Sequence, residues 1–274
     1  MTIGSKIKLG VPAIAISLVI LLGIWQLITT GVLYLSSVGV KVNKPTTADF
    51  SELNSLLKQY SSEGLVNYAE LKHADLLTKA VTKLEATSPV NIANKRDLLA
   101  FWINAYNLTT LKLIADHYPV YTIPQLGNGP SLQKFLVGGK PYSTQDIYIR
   151  FVTPLAQAEV PKSVFLACGG SIGYPRLPDH ALRGQPLEGD AEAATEKFVG
   201  DDRNVAFIEK ENHVYLSPFF SWNSNIITTN YESLDDFISA YLPQAKAKLF
   251  SNPGNLKSYN KPFDWRINDK ILAK

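Results

Sequence analysis

The run from Leu98 to Asn107, reading Leu-Leu-Ala-Phe-Trp-Ile-Asn-Ala-Tyr-Asn, sets the tightest limit on how this chain can fold. Its apolar density reads as a helix buried in a core, yet two asparagines sit in the middle of it. Asparagine is a poor helix-interior residue because its side chain competes for backbone hydrogen bonds. Asn104 and Asn107 lie three apart and so share a face. Buried amides must be satisfied, so neighbouring loops or a ligand have to meet both. The pattern predicts a helix from about Asn94 to Asp116, ended at Tyr118-Pro119 because the residue before proline avoids the α region.

Several further stretches line up in order with one known family. They are Val66-Asn67-Tyr68, the helix just described, and the run Phe165-Leu166-Ala167-Cys168-Gly169-Gly170-Ser171-Ile172-Gly173-Tyr174-Pro175. Beyond these come Phe198 to Asn204, Val214 to Ser217, Phe220-Ser221-Trp222, and Tyr259 with Phe263 to Asp269. On these motifs the chain resembles the bacterial and plant family catalogued as domain of unknown function 547. The resemblance implies domain boundaries and a site around the cysteine motif, without a reaction. Two departures are visible. The family reads Asp-Ile-Glu-His where this chain has Asp146-Ile147-Tyr148-Ile149, and its second motif cysteine is Tyr174 here.

The N-terminus reads as a membrane anchor. No charged residue occurs from Leu9 to Val40, and Val11 to Leu35 exceeds the roughly 20 helical residues needed to cross a bilayer. A cleaved signal peptide is the rival, since Lys6 and Lys8 form a basic n-region, but its apolar core should be shorter, about 7–15 residues. The expectation is therefore an anchor over 1–40, a linker over 41–48 with Pro45-Thr46-Thr47, and a globular domain over 49–274. It makes the protein a single-pass membrane protein with an extracytoplasmic domain, its partners being the bilayer and an unidentified small molecule or peptide. The formal charge of +3 belongs to the membrane flanks. Without Lys6, Lys8, Lys41 and Lys44, 23 basic residues face 24 acidic ones. That balance lacks the basic footprint of nucleic-acid binding.

The globular part reads as α+β, a single domain of mixed helices, short strands and hairpins that do not alternate as in a doubly wound sheet. Helices are expected from Thr47 to Tyr60, Leu71 to Leu84, Ser143 or Thr144 toward Phe151, Ala191 to Phe198 and Leu234 to Leu242. Hairpins are expected around Gly138-Gly139 and around Glu209 to Asn212. Val164 to Ala167 suits a buried strand, Pro253 to Pro262 a loop-rich tail, and Trp222 and Trp265 core positions.

Cys168 is the sharpest chemical candidate. Gly169 and Gly170 follow it, and glycines let backbone N–H groups approach a ligand and form an anion-binding nest. A thiolate nucleophile would use such surroundings. The competing reading is a small buried hydrophobe. His180, twelve residues on and next to Asp179, is the candidate base; His73, His117 and His213 suit surface or helix-end roles better. Tyr148, standing where the family has its glutamate, is a poor base at neutral pH, with an unperturbed pKa of ~10. Ser171, in Gly169-Gly170-Ser171-Ile172-Gly173, also fits a Gly-x-Ser-x-Gly elbow and is a secondary nucleophile candidate. One cysteine and unpaired histidine spacings point to no metal site and no cofactor.

Two readings remain. In one, Cys168 and His180 act with a pocket of Asn104, Asn107, Gly169, Gly170 and Ser171 in thiol-dependent hydrolysis or acyl transfer. In the other, the missing family histidine marks a non-catalytic domain that binds a ligand or protein in the same pocket.

Overall fold

The computed structural model describes residues 48–250 and 257–272. The expected anchor over 1–40 and the linker up to Thr47 lie outside the described residues. Two helices open the domain: α1, Ser51–Tyr60, buries Leu53, Leu56 and Leu57, and α2, Asp75–Ala86, buries Leu77, Ala80 and Leu84. Both carry their leucines at helical spacing and pack against each other on that face. α1 begins at Ser51 rather than at Thr47, and Phe50 rather than Thr47 holds the cap position.

α3, Lys95–His117, is the axis of the domain. Asn94 caps it, its side-chain oxygen accepting the N–H groups of Arg96 and Asp97, and it closes where Tyr118-Pro119 was expected to close it. From Leu99 to Ala115 every residue except Lys112 is buried, which is what a helix apolar on all sides requires. It is long and apolar enough to span a membrane, but its surface is covered by the domain itself. Packed on it are α2, a π-helical turn over Tyr148–Val152, and α4, Thr153–Glu159. The helix expected from Ser143 is Thr144–Ile147, capped by Ser143 with Asp146 completing the capping box.

The strands are short. β1, Ser61–Ser62, and β2, Leu65–Val66, form one hairpin; β3, Phe135–Val137, and β4, Lys140–Tyr142, form the one expected around Gly138-Gly139. α5, Leu187–Val199, begins a turn earlier than Ala191 and packs on a 3₁₀ helix, Pro161–Leu166. β5, Val205–Ile208, pairs antiparallel with β6, His213–Leu216, as expected. α6, Leu234–Tyr241, follows. The expected loop-rich tail instead contains β7, Lys257–Asn260, parallel to β6. Its exposed residues carry no alternation that would betray a strand.

After β7 the chain runs back through the domain and ties three loops together. Ile123 N–H donates to Trp265 O, Ile267 N–H to Tyr121 O, Ile172 N–H to Arg266 O, and Asn268 N–H to Gly170 O. Val66 N–H and Lys270 N–H complete the staple on Asn268 O and Val66 O. The architecture is α+β as expected: mostly helical, with small sheets at the periphery.

Candidate functional site

Cys168 does not leave a strand. Residues 161–166 form a 3₁₀ helix opened by Pro161, and Ala167 N–H closes it on Val164 O. A short apolar run has no periodicity to separate strand from buried helix. Burial from Ser163 to Cys168 was readable, its geometry was not. The backbone partners here come from a side chain. Asn107 donates to Leu166 O at 2.9 Å and accepts Cys168 N–H at 2.9 Å. Asn104 does the same one turn earlier, donating to Leu182 O and accepting Leu182 N–H, each at 2.9 Å. The two amides therefore bolt α3 to the two loops that frame the site, each giving one N–H and one oxygen lone pair to backbone.

The Cys168 thiol is 3 % exposed. Asn268 Nδ2 lies 3.7 Å from Sγ. Burial pushes the thiol up to about 12, and the Gly170 N–H pulls back only weakly. It is a protonated thiol at neutral pH. The glycines after it serve packing. A Cβ on Gly169 would sit 2.5 Å from the Tyr174 ring, and Gly170 has φ +79° with Ile114 of α3 closing on it. The crowding lies on the Cβ side of each glycine, which is why no larger residue fits at either position. Ser171 is 2 % exposed, and its hydroxyl has no hydrogen-bond partner among the described residues. No base therefore prepares it as a nucleophile.

His180 is committed elsewhere. Its Nδ1 lies 2.7 Å from Asp179 and its Nε2 3.2 Å from Asp190 on α5. Both nitrogens face carboxylates, so neither is directed at Cys168, and the pairing expected from sequence is not formed. His117 points its Nδ1 at Leu113 O, and His213 lies 3.0 Å from Glu211. His213 is half-buried beside Tyr259 rather than turned to solvent. Tyr148 is half-buried, donates to Asn223 Oδ1 at 2.6 Å, and stands 5.2 Å from the Tyr106 ring. Burial pushes its hydroxyl, and those of Tyr106 and Tyr174, upward. Ile149, where the family histidine would stand, is exposed.

Burial lowers the affinity of the His180 ring for a proton, but hydrogen bonds to Asp179 and Asp190 outweigh it and raise the pKa above 6.5. A raised folded-state pKa stabilises fully below about 6.5 and is lost as pH rises through the folded value. His180→Gln should therefore lower the urea midpoint at pH 5.5 more than at pH 8.5. An equal loss at both would show that the imidazolium is not what ties the loop to α5.

One open region lies beside Cys168, and another, of about 540 Å³, is lined by Glu192, Tyr231, Tyr241 and Pro243. Three adjoining cavities, of about 450, 190 and 90 Å³, all have Ile172 and Arg203 in their walls. The largest is lined by Tyr174, Arg176, Leu177, His180, Lys197 and Phe198 among others; the smallest reaches Cys168, Ser171 and Asn268. Asp201 sits between two guanidiniums. Burial raises its carboxyl, but Arg203 and then Arg176 hold it down at about 2. Beside the second cavity, Trp222, Phe263 and Trp265 cluster with ring centroids 4.5 to 6.0 Å apart. The two tryptophans are 51 % and 38 % exposed, against the expectation that both are core. Arg176, Arg203 and Tyr174 were missed as site residues. The faint signal was that Tyr174 and Arg203 lie inside family-like motifs and Arg176 directly follows one, at positions with no chemical pattern of their own.

Among the described residues no group of three His, Cys, Asp or Glu side chains is arranged to hold a metal. No curated protein and no solved structure matches the chain. One family model does match, over residues 90–199, a segment that carries Asn104, Asn107, Cys168 and His180. From α3 to α5 the chain is thus similar to the family described as protein of unknown function, DUF547.

Proposed function

We propose that this protein is a membrane-tethered, non-catalytic binding domain whose recognition site is the cleft around Ile172 and Arg203, with Cys168 as a structural thiol in its floor. The observation that carries this reading is the state of Cys168: buried, protonated at neutral pH, and without an imidazole partner. A cleft of about 450 Å³ falls in the range of small-molecule sites. The tether rests on the charge-free stretch from Leu9 to Val40, and the short tail before it favours export of the domain. Thiol-dependent hydrolysis or acyl transfer takes second place. Its support is Asn268 Nδ2 beside Sγ, a donor a thiolate would use, but the full desolvation of the thiol opposes it.

One experiment tests both halves. Membranes carrying the full chain are washed with alkaline carbonate and treated with iodoacetamide at pH 7, natively and in urea. The chain should stay in the pellet, and Cys168, the sole cysteine, should be alkylated only in urea, because a buried thiol of raised pKa is inert. Native labelling at the rate of a free thiol overturns the non-catalytic reading. Release by carbonate overturns the tether.

A further inference from the structure

We propose that the cleft binds a neutral glycan, a chain of pyranose rings whose hydroxyls meet Asn204 and the Arg203–Asp201 and Arg266–Asp264 pairs, and whose C–H faces stack on Trp222 and Trp265. This rests on the binding reading above and names the class of its ligand.

The charges that line the three adjoining cavities cancel. Glu63 and four aspartates stand against two arginines, two lysines and His180. Most of them are already engaged. Arg203 forks Asp201, Arg266 forks Asp264, and His180 lies between Asp179 and Asp190. Lys261 donates to Asp202 O at 3.0 Å. No surplus of either sign is left to select an ion.

What stays unmet is polar and uncharged. Asn204 is buried and gives its amide N–H to Phe198 O at 3.0 Å, while its Oδ1, in the wall of two of the cavities, has no partner among the described residues. Ser171 Oγ, in the wall of the smallest, is also buried and unpartnered. Buried polar atoms without partners are costly, and a ligand hydroxyl, both donor and acceptor, answers either kind. Arg203 and Arg266 each use only Nε and one η nitrogen on their aspartates. A guanidinium has five N–H donors, so each pair keeps a planar edge of donors beside carboxylate acceptors. Adjacent hydroxyls on a ring fit such an edge.

An aromatic platform adjoins it. Phe263 lines the 190 Å³ cavity, and Trp222 and Trp265 pack on it with ring centroids 4.7 and 4.5 Å away. Tyr174 meets the same ring edge-on at 5.1 Å. Backbone fixes the platform: Gly173 N–H donates to Asp264 O, and a Cβ on Gly173 would lie 2.9 Å from the Phe263 ring. Exposed apolar groups gathered in one place mark a binding surface. A pyranose with equatorial hydroxyls matches both halves, since its axial C–H bonds form an apolar face and its hydroxyls a polar rim. A lipid surface would cover the rings and leave Asn204 Oδ1 and the arginine edges unmet.

The probes are cellohexaose and chitohexaose, both neutral and equatorially substituted, titrated by calorimetry into the full chain in phosphatidylcholine nanodiscs, with empty nanodiscs as blank. At least one should bind saturably, with the same affinity at about 0.05 and about 0.5 M salt because no ion pair forms. Trp222→Ala and Trp265→Ala should each weaken binding about tenfold or more, as loss of an aromatic anchor does. Leu136→Ala, an exposed apolar position on β3, should leave it unchanged. In the parent, saturating hexasaccharide should shield tryptophan fluorescence from acrylamide, a readout that needs no variant to fold. Absence of binding by both sugars at millimolar concentration, or an affinity that falls with salt, overturns the glycan. Binding that survives both tryptophan variants overturns the platform and leaves the cleft as the recognition site. Nanodiscs of brominated phosphatidylcholine test the rival occupant: quenching that disappears in Trp222→Ala and Trp265→Ala would assign the rings to the bilayer and overturn the proposal. Thiol labelling and carbonate extraction are independent of these outcomes, so failure of the glycan and failure of the binding reading are separable.

Discussion

Replacing Asn107 with leucine should cost about 2–5 kcal/mol of stability, read as a lower urea midpoint at unchanged slope. Leucine has the same heavy-atom branching as asparagine and is the better helix former, so the helix itself loses little. What is lost is the partner of two buried backbone groups, Leu166 O and Cys168 N–H. Each buried group left unsatisfied costs about 1–3 kcal/mol. Both lie in a segment that is buried from Ser163 to Cys168, where water cannot take over the bonds. The loss should also expose the thiol. Iodoacetamide, inert toward the native chain, should alkylate Cys168 in this variant below the unfolding midpoint, since Asn107 is what holds the cysteine segment to α3. A midpoint within experimental error of the parent would show that the segment finds other partners, and that the amide is present for a ligand.

Asn268→Ala should have an effect of similar size through a different route. Asn268 is buried; its Oδ1 accepts the Tyr68 hydroxyl at 2.8 Å and its Nδ2 donates to Gly64 O at 2.9 Å. Tyr68 is fully buried, so truncating Asn268 strands a phenol in the core. The cost expected is about 2–4 kcal/mol, combining the stranded groups with the small cavity. A double-mutant cycle identifies the cause. Tyr68→Phe on the parent should itself destabilise, but in the Asn268→Ala background it should be neutral or restore stability, because the unpaired hydroxyl is removed. Additive losses would assign the effect to packing. Asn268 also stands on the returning C-terminal segment beside Cys168, so the variant reports whether that staple keeps the cleft in shape.

The parts of the fold that were legible are those whose information is local. The apolar run from about Asn94 and the stop at Tyr118-Pro119 bounded α3 to within a residue, because proline sterics act over a few positions. The Gly138-Gly139 hairpin and a helix start at Ser143 or Thr144 were legible in the same way, whereas the capping box with Asp146 emerged only in the structure. The demand that Asn104 and Asn107 be answered was also readable. That the answer would be backbone at Leu166, Cys168 and Leu182 was not, since those partners lie 59 to 78 residues away.

The site depended on more distant packing. Cys168 as a marked position came from the sequence, but whether it ionises depends on desolvation by everything around it, and the assembled core sets that. His180 and Asp179 are adjacent in the chain, yet Asp190 on α5 takes the second nitrogen, which no spacing rule foretells. Trp222 and Trp265 read as core by residue type, yet both surface, where the helix that carries Trp222 meets the returning C-terminal segment at Trp265 and Phe263. Sequence alone thus determined the helical axis, its two buried amides, the hairpin turns and the mixed class of the fold, all consequences of short-range sterics and hydrogen bonding. Tertiary structure alone decided that the cysteine is a protonated floor, that the histidine belongs to two aspartates, and that Arg176 and Arg203 face an open cleft. Desolvation and charge pairing are sums over atoms that meet only after the chain has folded.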